Sequence, residues 1–259
     1  MCQMGEGFTS QWPAADPSQA CLVLDFDGSL APIVADPSES SLPRGTAEVL
    51  TRLVSGLGRV AIVSGRPGSF LLNRVTVAGV HLMGLYGLER VSAGQVIGVP
   101  GVQEFLGALH RARDDLVLEV ARWPGAELED KGLAVAVHWR RAARPEEAGR
   151  ALSAVVRSLA GELAVEDGKM VVELRPPLAA DKGTAVAQLA DGFAEVAFAG
   201  DDLGDLPGFA EVSRRGGVAI VVDHGSETDP RVRDAATIVV AGTQGLAGWL
   251  SDIAARIGV

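Results

Sequence analysis

Cysteine is scarce in this sequence of 259 residues, which has only Cys2 and Cys21. Two cysteines do not supply the disulfide framework on which small secreted domains depend. Cys21 opens an apolar segment, and we interpret it as a small core residue because free cysteine is commonly buried. The scarcity of cysteine therefore indicates a reducing compartment, and we predict a cytoplasmic protein.

Long hydrophobic runs and excess positive charge are also lacking. No apolar run is long enough to cross a bilayer, and residues 1–20 lack the basic start and apolar core of a secretory signal. The 23 lysine and arginine residues are outnumbered by 33 aspartate and glutamate residues, which gives a formal net charge of −10. We therefore expect neither a nucleic acid nor a membrane as a partner. An anionic substrate would need a local cluster of cations.

Apolar residues make up 47% of the sequence, which is enough for a substantial core. Short strands alternate with amphipathic helices before residue 100 and after residue 178, and this order predicts an α/β fold with a Rossmann-like parallel sheet. The predicted strands are 21–25, 59–63, 81–89, 196–200, 217–222 and 237–240, and the predicted helices are 41–57, 184–191, 206–212 and 244–257. A hairpin is predicted at 91–99.

Residues 101–177 break this pattern and predict an inserted α+β cap domain. Helices at 102–115 and 145–162 are each followed by two strands, at 116–121 and 133–139 and then at 163–166 and 170–174. The order αββαββ predicts an antiparallel sheet with helices on one face. We therefore divide the chain into a flexible N-terminal tail at 1–19, a core domain at 20–100 and 178–259, and a cap domain at 101–177.

Two carboxylates follow the first predicted strand. Asp25 and Asp27 are two positions apart, and Gly28 lets the backbone turn immediately after them. Carboxylates at the end of a buried strand cost desolvation energy unless a cation meets them. A hard divalent cation such as Mg²⁺ suits such oxygen ligands. An acidic turn without chemistry is the alternative for this stretch taken alone.

Polar residues occupy similar positions at other predicted element ends. Ser64-Gly65-Arg66 ends the second strand, where a hydroxyl can donate to a phosphate oxygen and a glycine lets the backbone approach closely. Lys182 opens a helix, and Asp201-Asp202 follows the strand at 196–200. Taken singly, these are equally well a turn serine, a solvated lysine and an acidic loop. Ligands of α/β proteins bind at the carboxyl ends of the strands, which favours a common site.

Four of these segments resemble, in the same order, the motifs of the haloacid-dehalogenase superfamily of phosphotransferases. They are Asp25-Phe26-Asp27-Gly28, Ser64-Gly65-Arg66, Asp181-Lys182-Gly183 and Gly200-Asp201-Asp202. The resemblance implies that Asp25 attacks phosphorus and that Asp27 acts as general acid and base. It also implies that Ser64 and Lys182 contact the phosphoryl group.

The same resemblance implies a Mg²⁺ cofactor. The ion would be held by Asp25, by the backbone carbonyl of Asp27 and by Asp201, while Asp202 would orient one of its waters. The fourth motif departs from the usual pattern, since Gly204 replaces a threonine and Leu206 a glutamate. We expect Asp205 to cap the following helix. Ser29, which replaces the commoner threonine of the first motif, is a mild change.

Three segments of the predicted cap resemble the sugar-binding motifs of the trehalose-phosphatase family. They are Glu129-Asp130-Lys131, His138-Trp139-Arg140 and Glu173-Leu174-Arg175-Pro176, with Trp139 in place of the usual tyrosine. The resemblance implies that Glu129, Lys131, His138 and Glu173 bind sugar hydroxyls. Gly65, Arg66 and Arg140 complete the implied substrate-binding set, and Arg175 belongs to the third of these motifs. For each single cap residue a salt-bridged sheet surface is the alternative, and Arg66 serves either the phosphate or only its own loop.

The position of the insert agrees with this resemblance, because Ser64 and Lys182 are 118 positions apart and the cap fits between them. The implied function is Mg²⁺-dependent hydrolysis of trehalose 6-phosphate through an aspartyl-phosphate, a step of trehalose biosynthesis. Two alternatives are a phosphatase for another sugar or cyclitol phosphate and a catalytically silent regulatory subunit that binds a sugar phosphate. We expect a monomer, and the resemblance allows functional pairing with a trehalose-6-phosphate synthase.

Overall fold

The computed structural model describes residues 12–34 and 36–259, so Cys2 and most of the predicted tail lie outside the described residues. The strands are β1 (Ala20–Leu24), β2 (Arg59–Val63), β3 (His81–Gly84), β4 (Glu89–Ser92), β5 (Gln95–Gly98), β6 (Glu127–Asp130), β7 (Val135–His138), β8 (Ala164–Gly168), β9 (Val171–Arg175), β10 (Glu195–Gly200), β11 (Val218–Asp223) and β12 (Ile238–Ala241). The helices are α1 (Thr46–Gly56), α2 (Gly68–Arg74), α3 (Leu106–Val120), α4 (Pro145–Leu159), α5 (Lys182–Leu189), α6 (Leu206–Arg214), α7 (Pro230–Asp234) and α8 (Gly242–Arg256).

The main sheet has the strand order β12-β11-β10-β1-β2-β3-β4-β5. From β12 to β3 every neighbouring pair is parallel, and β4 pairs antiparallel with β3. The central strand β1 is buried on both faces, as its continuous apolar sequence requires. Leu22 and Leu24 pack with residues of α1 and α8, whereas Cys21 and Val23 pack with residues of α5 and α6. The predicted α/β fold with a parallel sheet is confirmed.

Some elements of the core differ from the sequence prediction. The hairpin of β4 and β5 around Ala93-Gly94 is confirmed, but the strand predicted at 81–89 is two strands separated by a turn at Leu85–Gly87. Helices α2 and α7 are short and were not predicted; each buries few side chains, so its apolar period is weak. Within the described part of the chain, no helix combines the length and the apolar composition that crossing a bilayer requires.

The segment that precedes β1 packs on the core. Trp12 is 4% exposed, and its ring stacks on Trp249 of α8 with the ring centroids 5.9 Å apart. The backbone N–H groups of Ala14 and Ala15 donate to the two carboxylate oxygens of Glu195, over 2.8 and 2.9 Å. The prediction of a flexible tail over 1–19 is therefore wrong for residues 12–19.

The chain separates into two compact units. One extends to Ile97 and resumes over Ala180–Val259, and the other, which we call the insert, is Gly98–Ala179. The insert has the predicted order αββαββ, and its strands form an antiparallel sheet in the order β6-β7-β9-β8. The strand predicted at 116–121 is wrong, because these residues continue α3, and the first strand of the insert is β6.

The sheet of the insert has one apolar and one polar face. Val135, Val137, Val172 and Leu174 pack with the buried sides of α3 and α4. Because side chains alternate along a strand, the intervening residues lie on the opposite face. The register places the following residues in one row across that face: Glu129, Ala136, Glu173 and Glu166.

Candidate active site

Three predicted site residues lie where adjacent strands of the main sheet end. Asp25 follows β1, Ser64 follows β2 and Asp201 follows β10, and β1 lies between the other two strands. The backbone N–H of Asp25 still donates to the carbonyl oxygen of Ala199, over 2.9 Å, so this residue extends the pairing of β1 with β10. The parallel topology therefore brings residues far apart in sequence to one edge of the sheet.

Helix α5 brings Lys182 to this edge. Asp181 caps the helix by accepting a hydrogen bond from the backbone N–H of Thr184 over 2.7 Å. The Nζ atom of Lys182, in the first turn, donates to Oδ1 of Asp25 over 2.6 Å and to Oδ1 of Asp205 over 2.5 Å. The helix macrodipole disfavours a cation in this position, and the two carboxylates offset that cost.

Asp205 is a central residue of the cluster that the sequence analysis assigned only to helix capping. Its side chain is 0% exposed, and Oδ2 accepts hydrogen bonds from the backbone N–H groups of Asp201 and Asp202, over 2.9 and 3.0 Å. It makes no side-chain cap for α6, so the capping prediction is wrong. Asp205 instead links Lys182 to the loop after β10.

Three buried carboxyl groups, those of Asp25, Asp201 and Asp205, share the site with the ammonium of Lys182. Burial raises the pKa of Asp25 well above its usual range, against the opposing charge of Lys182. Burial, together with the charges of Asp205 and Asp202, raises the pKa of Asp201 to about 7. Burial also lowers the pKa of Lys182, but Asp205 and Asp25 outweigh it and hold that pKa well above its usual range. Lys182 is therefore an ammonium.

The chemistry of the donor atoms fits a divalent cation. Carboxylate oxygens of Asp25, Asp201 and Asp205 all lie within 4.8 Å of one another. Such hard oxygen donors are those that Mg²⁺ and Ca²⁺ prefer. The side chain of Asp202 turns elsewhere, since its Oδ1 accepts from the backbone N–H of Gly204 over 2.9 Å. The group of three carboxylates thus contains Asp205, which the sequence analysis did not name as a ligand.

The side chain of Asp27 is held by Arg66. The guanidinium donates from Nε to Oδ2 over 2.7 Å and from Nη2 to Oδ1 over 3.0 Å, which is a bidentate pair. The hydroxyl of Ser40, a residue that the sequence analysis did not identify, donates to Oδ1 over 2.8 Å. The structure therefore joins Arg66 to the first motif as well as to its own loop.

The second motif is shaped by its neighbours. Ser64 is buried, and its Oγ accepts a hydrogen bond from the backbone N–H of Arg66 over 3.1 Å. A Cβ atom on Gly65 would lie 2.6 Å from the ring carbon Cζ of Tyr86, so any larger residue here would require that ring to move. The close approach that the sequence predicted for Gly65 is thus an approach to Tyr86.

Comparison with known proteins identifies the family. The family model described as trehalose-phosphatase matches residues 23–239. Trehalose-6-phosphate phosphatase of Escherichia coli (strain K12) is 32% identical over 214 residues, which cover 78% of this chain and 77% of that protein. The chain belongs to the trehalose-phosphatase family.

Other relatives of this trehalose-phosphatase family member differ in length. An uncharacterized glycosyl hydrolase of Mycobacterium tuberculosis is 39% identical over 227 residues, but these are 80% of this chain and 16% of that protein. The chain thus spans about a sixth of that relative's length. The crystal structure of a trehalose-6-phosphate phosphatase related protein superposes with a TM-score of 0.73 and 27% identity. The superposition covers 91% of this chain and 97% of the chain in that crystal structure.

The polar face of the insert carries the other trehalose-phosphatase motifs. Nε2 of His138 and Oε2 of Glu129 are 2.9 Å apart, and Nζ of Lys131 donates to Oε2 of Glu173 over 2.5 Å. The two arginines of these motifs also have partners within the insert. Arg140 donates to the carbonyl oxygen of Lys169 over 3.4 Å, and Arg175 pairs with Glu166. Four candidate sugar-binding residues therefore form two side-chain pairs on one face of the sheet.

Trp139 has a different role from its neighbours in the motif. It belongs to the core of the insert, and its indole packs closely on Gly149 of α4. A Cβ atom on Gly149 would lie 2.6 Å from Nε1 of Trp139. The large side chain at this position is therefore explained by packing between the sheet and α4.

Proposed function

We propose that this chain is a Mg²⁺-dependent phosphoric monoester hydrolase that releases phosphate from trehalose 6-phosphate. One observation carries the proposal: Lys182 bridges Asp25 and Asp205 at the strand edge where Asp201 also lies. Membership of the trehalose-phosphatase family supports the sugar phosphate as substrate. The relative of E. coli carries the name of this activity.

The cluster of three buried carboxyl groups supports the metal cofactor, because a divalent cation would let all three be ionised. The ion would be held by the carboxylates of Asp25 and Asp201 and by the backbone carbonyl of Asp27, with the carboxylate of Asp205 beside them. When bound, Mg²⁺ neutralises charge on the phosphoryl oxygens and orients the phosphoryl group.

Asp25 is the nucleophile in this mechanism. Lys182 engages its Oδ1, which leaves Oδ2 as the attacking oxygen. Oδ2 forms a bond to phosphorus while the bond from phosphorus to the sugar oxygen breaks, which gives an aspartyl-phosphate. The ammonium of Lys182 and the hydroxyl of Ser64 stabilise charge on the transferred group.

Asp27 moves the protons. It first gives a proton to the departing sugar oxygen and then takes one from the water that attacks the aspartyl-phosphate. That attack breaks the bond between phosphorus and Oδ2, releases phosphate and restores the Asp25 carboxylate. Arg66 and Ser40 orient Asp27 by donating to both of its carboxylate oxygens, and one of these hydrogen bonds is released when Asp27 carries the proton for the sugar oxygen.

Recognition of the sugar is assigned to the polar face of the insert. Carboxylates accept hydrogen bonds from vicinal hydroxyls, which suits Glu129 and Glu173 to a sugar. Lys131 and His138, already paired with these two carboxylates, supply donors beside them. These two contacts keep the four side chains ordered before a substrate arrives, which lowers the entropic cost of binding.

The deciding experiment measures phosphate release from trehalose 6-phosphate with Mg²⁺, with EDTA and with the Asp25→Asn variant. We expect release that depends on both the metal and Asp25, with the variant at least about 1,000-fold slower. Turnover of a generic phosphate ester without turnover of trehalose 6-phosphate would instead indicate another sugar or cyclitol phosphate. Binding of the sugar phosphate without turnover of either compound would indicate a silent regulatory subunit.

A second experiment separates chemistry from sugar recognition. Exchange of Glu129 and Glu173 for alanine should abolish turnover of trehalose 6-phosphate and leave activity on a small generic ester. Equal loss on both substrates would contradict the assignment of these two residues to the sugar.

The scarcity of cysteine supports a cytoplasmic enzyme, and we propose a monomer that works alongside a trehalose-6-phosphate synthase. Light scattering of the purified chain tests the monomer directly, since a dimer would double the measured mass.

A further inference from the structure

His224 lies beside the acidic cluster without belonging to any of the sequence motifs. It follows β11, and its Nε2 donates a hydrogen bond to the carbonyl oxygen of Gly28 over 2.7 Å. The same nitrogen lies 3.9 Å from Oδ2 of Asp201. Because a carbonyl oxygen only accepts, Nε2 carries the hydrogen, and this contact fixes the orientation of the ring.

With the contact to His224, both backbone polar groups of Gly28 are hydrogen-bonded. The backbone N–H of Gly28 donates to the carbonyl oxygen of Ala31 over 2.8 Å, and its carbonyl accepts from His224. Its φ is +82°, and a Cβ atom there would lie 2.2 Å from Oδ2 of Asp201. The peptide planes on both sides of Gly28 are thus fixed directly against the Asp201 carboxylate. One of those planes includes the carbonyl of Asp27.

Two more hydrogen bonds support this arrangement. Ser29, the residue after Gly28, donates from Oγ to Oδ1 of Asp201 over 3.1 Å. The loop after β1 therefore contacts the Asp201 carboxylate through both Gly28 and Ser29. The backbone N–H of His224 donates to Oγ1 of the buried Thr228 over 2.8 Å. The imidazole is therefore anchored by its own loop and reaches Gly28 from a fixed position.

We propose that His224 is a positioning residue for the divalent cation. By holding the carbonyl of Gly28, it sets the spacing between the Asp27 carbonyl and the Asp201 carboxylate. The inference rests on the proposed function, which assigns the cation to these oxygen atoms. Removing a side chain that orients metal ligands typically weakens metal binding by about 10- to 100-fold.

The test compares two substitutions of His224 by their affinity for Mg²⁺ alone. His224→Leu removes the N–H donor, whereas His224→Gln keeps one at a similar distance from the backbone. Ser226→Ala, an exposed position in the same loop, is the matched control. Mg²⁺ is titrated into the full chain without substrate, and the rise in melting temperature gives an apparent dissociation constant.

We expect His224→Leu to raise that constant by about 10-fold or more, with His224→Gln and Ser226→Ala close to the wild type. In turnover assays, the Leu variant should need more Mg²⁺ for half-maximal rate and recover its kcat when Mg²⁺ is saturating. Its KM for the sugar phosphate should not change, because His224 is not assigned to the substrate. If His224→Leu does not fold, His224→Ala removes the donor without adding apolar bulk.

Equal Mg²⁺ affinity in the wild type and the Leu variant would overturn the proposal. Equal weakening by Leu and Gln would also overturn it, since the effect would then come from packing of the ring. If the wild type binds Mg²⁺ but leaves trehalose 6-phosphate intact, the proposed substrate fails while the titration still decides the role of His224. A wild type that binds no divalent cation would overturn both.

Discussion

At the scale of single residues, the site depends on how its buried charges are paired. Lys182 has two carboxylate partners, and only one of them, Asp25, reacts in the proposed mechanism. Asp205 contributes by holding the ammonium with one oxygen and the loop after β10 with the other. Its position immediately before a predicted helix suggested a helix cap, and no sequence pattern indicates a contact with a lysine 23 positions earlier.

The Asp205→Asn substitution tests this pairing. The amide would point a donor at Lys182 or at the two backbone N–H groups, so a buried ion pair is broken. We expect the free energy of unfolding to fall by about 3 kcal/mol, measured by urea denaturation. Asp252→Asn, at an exposed position of α8, should change it by less than about 0.5 kcal/mol. Equal effects of the two substitutions would show that Asp205 is not a structural ion-pair partner.

Gly28 and Gly45 form a matched pair for testing the close approach of the first motif to Asp201. Both have φ near +90°, at +82° and +90°, so alanine costs about 1–2 kcal/mol of backbone strain at either position. Only at Gly28 would the new Cβ collide with Asp201, whereas at Gly45 nothing lies within 4 Å. We expect Gly28→Ala to lower kcat/KM by about 100-fold or more and Gly45→Ala to leave it unchanged. Similar activity of the two variants would contradict this account.

At the scale of secondary-structure elements, the end of α6 is held against α5 by charge. Arg215 donates to the carbonyl oxygens of Ala187 and Ala190, over 3.1 and 3.2 Å. Glu211 accepts from Arg214 and Arg215, and these hydrogen bonds lower the pKa of Glu211 to about 2. The cluster therefore joins the helix that follows Asp205 to the helix that begins with Lys182.

This cluster predicts a pH dependence of stability. A carboxyl whose pKa is lowered by folding stabilises the protein above its unfolded pKa of about 4.3, and the contribution disappears as the pH falls to about 2. We expect Glu211→Gln to destabilise the protein near neutral pH by less than about 1 kcal/mol. The difference from the wild type should shrink as the pH is lowered through the acid range. Urea denaturation of both proteins over that range measures it, and a difference that stays constant would contradict the pairing.

The helices and strands also show what the sequence could predict. Strands β1, β2 and β10 were predictable because both faces are buried, which produces continuous apolar runs that end in polar residues. The segment after Leu116 was wrongly predicted as a strand, because Val117 and Leu118 continue an apolar run although they are 50% and 69% exposed. The helical period was present in the buried residues of α3: Leu109, Ala112, Leu116 and Val120.

Strand β6, in contrast, is a strand that the sequence analysis did not predict. Its sequence, Glu-Leu-Glu-Asp, has few strand-forming residues, and it is held by pairing with β7 at the edge of the insert's sheet. A strand that forms through its partner leaves little trace in its own sequence. Ser40 and His224 were missed at the site for a similar reason, since each makes its contact from a loop that no motif marks.

At the scale of the whole molecule, residues that precede β1 form part of the hydrophobic core. Trp12 stacks on Trp249 and covers the side of the core that α8 forms. We expect Trp12→Ala to lower the free energy of unfolding by about 3 kcal/mol, measured by urea denaturation, with kcat of the folded protein preserved. Leu118→Ala, on an exposed face of the insert, is the control and should cost less than about 0.5 kcal/mol. A Trp12 effect as small as that of the control would restore the prediction of a loose tail.

Asp25 is the nucleophile of the proposed mechanism, and covalent trapping of the aspartyl-phosphate detects its attack on phosphorus. The Asp27→Asn variant should still be phosphorylated by p-nitrophenyl phosphate, because that leaving group departs without a proton, but it lacks the base that hydrolyses the aspartyl-phosphate. We predict a burst of one p-nitrophenol per chain and a peptide containing Asp25 that is heavier by one phosphoryl group in acid-quenched samples. If the wild type turns over this ester while the variant shows neither burst nor modified peptide, Asp25 is not the nucleophile.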